Sequence, residues 1–163
     1  MAYVRQDYYA SRFGEIDAKE FERLSWQACK QLDSYTTGID GVKKLKVAFP
    51  TDEEDAESVK MCVCQLIDTM KKIEAAEKSA ASFRELQETE NGLRGRVIAS
   101  VSSGNESVSY SVKGAAETQI DKAVADKAYR GRLFKEIIWE YLTGIADANG
   151  VNLLYMGAYP YAT

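Results

Sequence analysis

The chain has 163 residues, of which 45% are hydrophobic and 28% charged, the balance of a soluble globular domain with its own core. It contains no histidine, which removes the commonest general base and the commonest metal ligand together. The net charge of −4 disfavours broad electrostatic binding to DNA, which needs a basic surface.

The three cysteines, Cys29, Cys62 and Cys64, are an odd number without a signal peptide's apolar block at the start. They are expected as reduced thiols in a cytosolic setting, serving as small core or flank residues. No apolar run approaches the ~20 residues needed to span a bilayer. Only two prolines and eleven glycines argue against long linkers, so a single domain over residues 1–163 is expected.

Residues 1–16 read as a short entry element. Tyr8, Tyr9 and Phe13 lie close together, and Gly14 ends it. The first long helix is expected over about 17–37. Asp17 is a good N-cap with Glu20 three residues on, and Ile16 and Phe21 are placed as a hydrophobic staple. Phe21, Leu24, Ala28, Leu32 and Tyr35 form its apolar face, flanked by Trp26 and Cys29. Gly38 suits a left-handed C-cap. Residues 38–50 are a connection, and Lys43, Lys44 and Lys46 in it read as a solvated face.

The second helix, about 51–90, is the strongest pattern in the chain. Val59, Val63, Leu66, Met70 and Ile73 recur at steps of three and four. Cys62, Ile67 and Thr69 widen the stripe, while Lys60, Asp68, Lys71 and Lys72 fall opposite. Thr51 is its expected N-cap, with Glu54 as capping-box partner. The acids Asp52, Glu53, Glu54, Asp55 and Glu57 suit the positive end of the helix dipole better than a metal. Ala76, Ala80, Phe83 and Leu86 thin the stripe toward Asn91-Gly92. A break near Ser79–Ser82 is the alternative to one continuous helix.

Over about 96–112 the period changes to two. Val97, Ala99 and Val101, then Val108, Tyr110 and Val112, alternate with neighbours on the other face, around a turn at Gly104-Asn105. A β-hairpin arm is expected, a loop being the alternative. A last helix is expected over about 116–144, with Ile120, Val124, Ala128 or Tyr129, Phe134, Ile138, Tyr141 and Leu142 on its face and Gly144 at its end. Residues 151–163 then form an apolar, aromatic tail after the Asn149-Gly150 turn. Such a tail must be covered, by its own core or by a partner.

No glycine-rich phosphate loop, Cys/His metal spacing or nucleophile elbow is present. No residue is nominated as catalytic or metal-binding, and no cofactor is implied. The fold class expected is mainly α: a compact bundle of about three to four helices, with a projecting β-hairpin or loop arm and an extended C-terminal tail.

Several stretches, in order, resemble the head-tail connector (adaptor, head completion) family of long-tailed phages and Gram-positive prophages. Tyr8, Tyr9 and Gly14 stand where that family has an aromatic pair before a glycine. Phe21, Leu24, Ala28 and Leu32-Asp33 resemble its first helix. Val59-Lys60-Met61-Cys62-Val63-Cys64 is similar to its Val-Lys-x-Ala-Val-Cys, with Cys62 in place of the alanine. Glu106-Ser107-Val108-Ser109-Tyr110 resembles its Ser/Tyr-rich arm, and Leu153-Leu154-Tyr155-Met156-Gly157 its Leu-Leu-Tyr-x-Gly close.

The resemblance implies a structural, non-enzymatic virion protein at the head–tail interface, present in the host cytoplasm during assembly. Its copies would form a homo-oligomeric ring under the portal protein, either free in solution or only once on the portal, and meet the stopper or tail-completion protein. DNA would pass through without specific binding, and no membrane is involved. Leu153, Leu154, Tyr155, Met156 and Tyr159 are then the candidate portal-docking residues. Val97, Val101, Glu106, Val108 and Tyr110 are candidate arm contacts to a neighbouring subunit or the stopper. Arg130 and Arg132 are candidate DNA-proximal residues. The alternatives are a non-phage helical protein–protein interaction module, and a DNA-binding packaging factor using Arg94, Arg96, Arg130 and Arg132.

Overall fold

The computed structural model describes residues 3–89, 100–103, 106–109 and 118–161; for 80–89 and for the two strands the description is of the backbone. Among the described residues, six helices and two strands follow in the order α1 (Gln6–Phe13), α2 (Ala18–Thr36), α3 (Lys44–Val47), α4 (Glu53–Thr89), β1 (Ser100–Ser103), β2 (Glu106–Ser109), α5 (Gln119–Ala125) and α6 (Lys127–Leu142). The chain is mainly helical and its helices form a compact bundle.

Helix α4 is the hub. It packs against α1, α2, α5 and α6, and α2 also meets α6. Val59, Cys62, Val63, Leu66, Ile67, Met70 and Ile73 are all buried along its main stripe. Cys64 lies off that stripe yet is fully buried, because α1 covers a second flank. There Tyr8 donates its hydroxyl to Glu57 and Arg12 pairs with the same carboxylate at 2.7 Å. Burial pushes the thiols of Cys62 and Cys64 up to about 12, so all three buried cysteines behave as small apolar residues.

The backbone of α4 runs unbroken through Ser79–Ser82 for 37 residues, about 55 Å at the α-helical rise. Its N-cap is Asp52, one residue later than expected. The Asp52 carboxylate accepts from the amides of Glu54 at 3.0 Å and Asp55 at 3.2 Å. A carboxylate there satisfies two open donors and faces the helix dipole, which the Thr51 hydroxyl does not. Farther along, Arg23 of α2 grips Glu74 with two bonds of 2.6 and 2.7 Å, and Arg130 of α6 pairs with Glu77.

Helix α2 starts as read, with Asp17 accepting from the amides of Lys19 and Glu20. Phe21, Leu24, Ala28, Cys29 and Leu32 are buried, whereas Trp26 is 64% exposed. Gly38 is not a left-handed cap: Thr37 ends the helix in extended backbone, and Gly38 is absent from the positive-φ glycines of the described residues. Its use is close approach, described below. Gly14, at φ 90, does end α1.

The single helix expected over 116–144 is two. Asp126 takes extended backbone, closes α5 and caps α6 by accepting from the Ala128 amide at 2.7 Å. Helix α5 begins only at Gln119, behind a Thr118–Asp121 capping box. The break resets the helical phase, so Leu133 and Ile137 join Ile138 and Leu142 in the core. Phe134 and Tyr141 pack only partly buried against it. Helix α6 runs through Gly131 without a break.

Strands β1 and β2 pair antiparallel, Val101 opposite Val108 and Ser103 opposite Glu106. The turn expected at Gly104-Asn105, and Val97 and Tyr110, lie outside the described residues.

Candidate functional site

The tail and the corner between α2 and α3 build one surface from residues far apart in the chain. After α6, Gly144 turns the chain at φ 86 and residues 146–152 close a small loop through an Ala146–Asn152 bridge. Asp147 organises it. One carboxylate oxygen accepts from the amides of Asn149 and Val151, both at 2.9 Å. The other accepts from the Tyr159 hydroxyl at 2.6 Å. Gly150 supplies the φ of 77 that the expected Asn149-Gly150 turn requires. Leu153 then enters the core, its amide bonded to Ile145 O at 2.9 Å.

Four further contacts tie residues 153–159 to the corner. Lys44 donates to the carbonyls of Leu153, at 3.1 Å, and Tyr155. Ile39 N donates to Met156 O at 3.0 Å. Asp40 accepts from the Tyr159 amide at 2.6 Å. Gly38 lies so close that a Cβ there would sit 2.5 Å from the carbonyl oxygen of Gly157.

Lys44 corrects the sequence reading. Its neighbours Lys43 and Lys46 are solvated, but Lys44 itself is fully buried. Burial lowers its pKa, while Asp147 and Asp40 partly offset that loss. No carboxylate pairs with it directly among the described residues; the two tail carbonyls are its acceptors. The Asp40 carboxyl is held below its usual range by the Tyr159 amide, then by that of Val42. The Tyr159 phenol is raised, first by burial and then by its bond to Asp147.

The five candidate docking residues therefore separate. Leu153 and Tyr159 are 0% and 3% exposed, so both are corrected from docking to internal anchoring: the chain's own core covers them. Leu154 packs partly buried against the core. Tyr155 and Met156 remain on the surface, at 50% and 58% exposed. The sequence reading missed Ile39, the most exposed large apolar side chain here, and Tyr161. An isoleucine set between two glycines in Gly38-Ile39-Asp40-Gly41 was the available signal, since such a turn has no core face.

Arg130 is committed internally, to Ala123 O at 2.9 Å and to Glu77. Arg132 lies over the Tyr129 ring, 5.6 Å from its centroid. Arg94 and Arg96 fall outside the described residues, as do the side chains of the arm. The acids at the start of α4 form no metal-type cluster, and none occurs among the described residues. No helix of the described residues is long and apolar enough to cross a membrane.

Comparison with family models, with curated proteins and with solved structures finds no match to this chain.

Proposed function

We propose that the chain is a head-tail connector: a non-enzymatic structural protein that forms a ring beneath a phage or prophage portal, extends the DNA channel, and joins the head to the stopper or tail. The reading rests on the ordered set of motifs from Tyr8-Tyr9 to Leu153-Leu154-Tyr155-Met156-Gly157. One structural observation supports it. Ile39, Tyr155, Met156 and Tyr161 are all exposed on two segments that the Ile39–Met156 backbone bond holds together. The carboxylates of Asp40 and the buried Asp147 here both accept from Tyr159. An exposed apolar surface of this kind, with the Asp40 carboxylate beside Ile39, suits docking on another protein.

Its partner in this reading is the portal. The serine-rich strands offer backbone edges to a neighbouring subunit or the stopper. The net negative charge favours passage of DNA over its capture.

The test is a pull-down with the cognate portal protein. The Ile39→Ser/Met156→Ser double variant keeps every buried anchor of the tail and is expected to lose portal binding while melting like the parent. Undiminished binding would remove this surface from the reading. Failure of the folded parent to bind any portal would return the chain to a general helical interaction module.

A further inference from the structure

A second surface lies on the outer side of α2. Trp26 is 64% exposed there, and the Lys30 ammonium sits 5.1 Å from its ring centroid. Between this face and α3 runs a cleft of about 370 Å³, lined among others by Trp26, Cys29, Lys30, Asp33, Lys43 and Lys46. Its one carboxylate is already engaged: Asp33 accepts from the Tyr3 hydroxyl at 2.6 Å and pairs with Lys46 at 3.2 Å. Lys30 and Lys43 are exposed and meet no carboxylate among the described residues. The cleft is therefore cationic, with an exposed indole beside it.

The complement is on the same chain. Asp52, Glu53 and Glu54 are exposed and Asp55 is half-buried. Asp52 caps α4, yet none of the four is ion-paired among the described residues. They follow Lys43 and Lys46 closely in sequence, but the fold brings no member of one set within ion-pair distance of the other. The attraction is left unsatisfied within one copy.

We propose that the cleft between α2 and α3 receives the acidic first turn of α4 from a second copy of this chain. The inference rests on the connector reading and names the surface by which its copies join. Two unlike patches joined head to tail generate a ring or a filament rather than an isolated pair. An exposed tryptophan is the residue type of an interface anchor. Single-stranded nucleic acid is the competing occupant, since it too selects cations beside an aromatic ring. The exposed acids Asp52, Glu53 and Glu54, which no ion pair among the described residues engages, favour the acidic helix start of the same chain.

The experiment is light scattering on the full-length chain at high concentration and low salt. Three proteins are compared with the parent: Lys30→Glu/Lys43→Glu, Glu53→Lys/Glu54→Lys, and all four changes together. The parent is expected to self-associate and to dissociate as salt is added. Each charge reversal alone should lose the assembled species, and the combined variant should recover it. Circular dichroism checks folding, and Glu53→Gln/Glu54→Gln, which spares the helix start from added positive charge, should also weaken assembly.

Assembly that survives both reversals, or no recovery in the fourfold variant, overturns the proposal and leaves portal binding untouched. A parent that stays monomeric but binds a single-stranded oligonucleotide through Lys30 and Lys43 overturns it in favour of nucleic acid. A parent that is monomeric and binds neither also overturns it.

Discussion

Lys44 is the residue on which the tail turns. An ammonium is costly to bury, and here two carbonyls of the tail compensate it. Replacing it by methionine keeps much of the volume but leaves both acceptors without their donor. Lys44→Met is expected to cost about 2 kcal/mol in urea denaturation, the scale of a hydrogen-bonded charged group removed from its partners. The loss should be local first. Hydrogen exchange at the Ile39 and Tyr159 amides, which donate across the same contact, should speed up more than at Leu66 in the middle of α4. Nothing in Lys43-Lys44-Lys46 distinguishes the buried lysine from the solvated two. Its acceptors lie 109 and 111 residues away, beyond the reach of any local pattern.

At the scale of elements, two glycines make opposite predictions. A Cβ at Gly38 would meet the Gly157 backbone at 2.5 Å, whereas one at Gly131 would meet nothing within 4 Å. Gly38→Ala must push the tail off the corner and is expected to destabilise by about 1–3 kcal/mol, as overpacking does. Gly131→Ala sits inside α6 and is expected to stabilise by about 0.5–1 kcal/mol through helix propensity. Thermal melts of the two variants should move in opposite directions. Elements with a strong start signal and one long apolar period, α2 and α4, were legible to within a few residues. The division of the last helix was not, because a single aspartate can either continue a helix or cap the next one. Only the packing of α5 and α6 as separate helices on α4 decides which.

For the whole molecule, stability should fall on the alkaline side. Cys62 and Cys64 are raised from 9.0 to about 12 by burial, and the Tyr9 phenol is raised to about 12 for the same first reason. For a group raised in the folded state, the unfolded chain loses its proton first. The folded state then binds more protons, and stability declines with pH. The contribution of the two thiols is intact below pH 9 and is lost between 9 and about 12. Lys44 works the other way, because its lowered pKa adds stability as pH rises toward the ordinary lysine value. In this alkaline range the raised Cys62, Cys64 and Tyr9 outweigh the lowered Lys44 and set the net sign. Chemical denaturation from pH 8 upward should show decreasing stability, and Cys62→Ala/Cys64→Ala should flatten that decline even though it lowers the starting value.

The sequence by itself determined the helical class, the central helix and its core stripe, the Asp17 cap, and the need of the tail for cover. Each follows from neighbours within about one or two turns, where periodicity and capping act. Tertiary structure decided which tail residues are covered, which lysine is buried, and which glycine is there for close approach. It also decided that Ile39, read only as part of a connection, shares a surface with Met156. Those outcomes depend on pairs of segments separated by most of the chain, and only the packing of the finished fold brings such segments together.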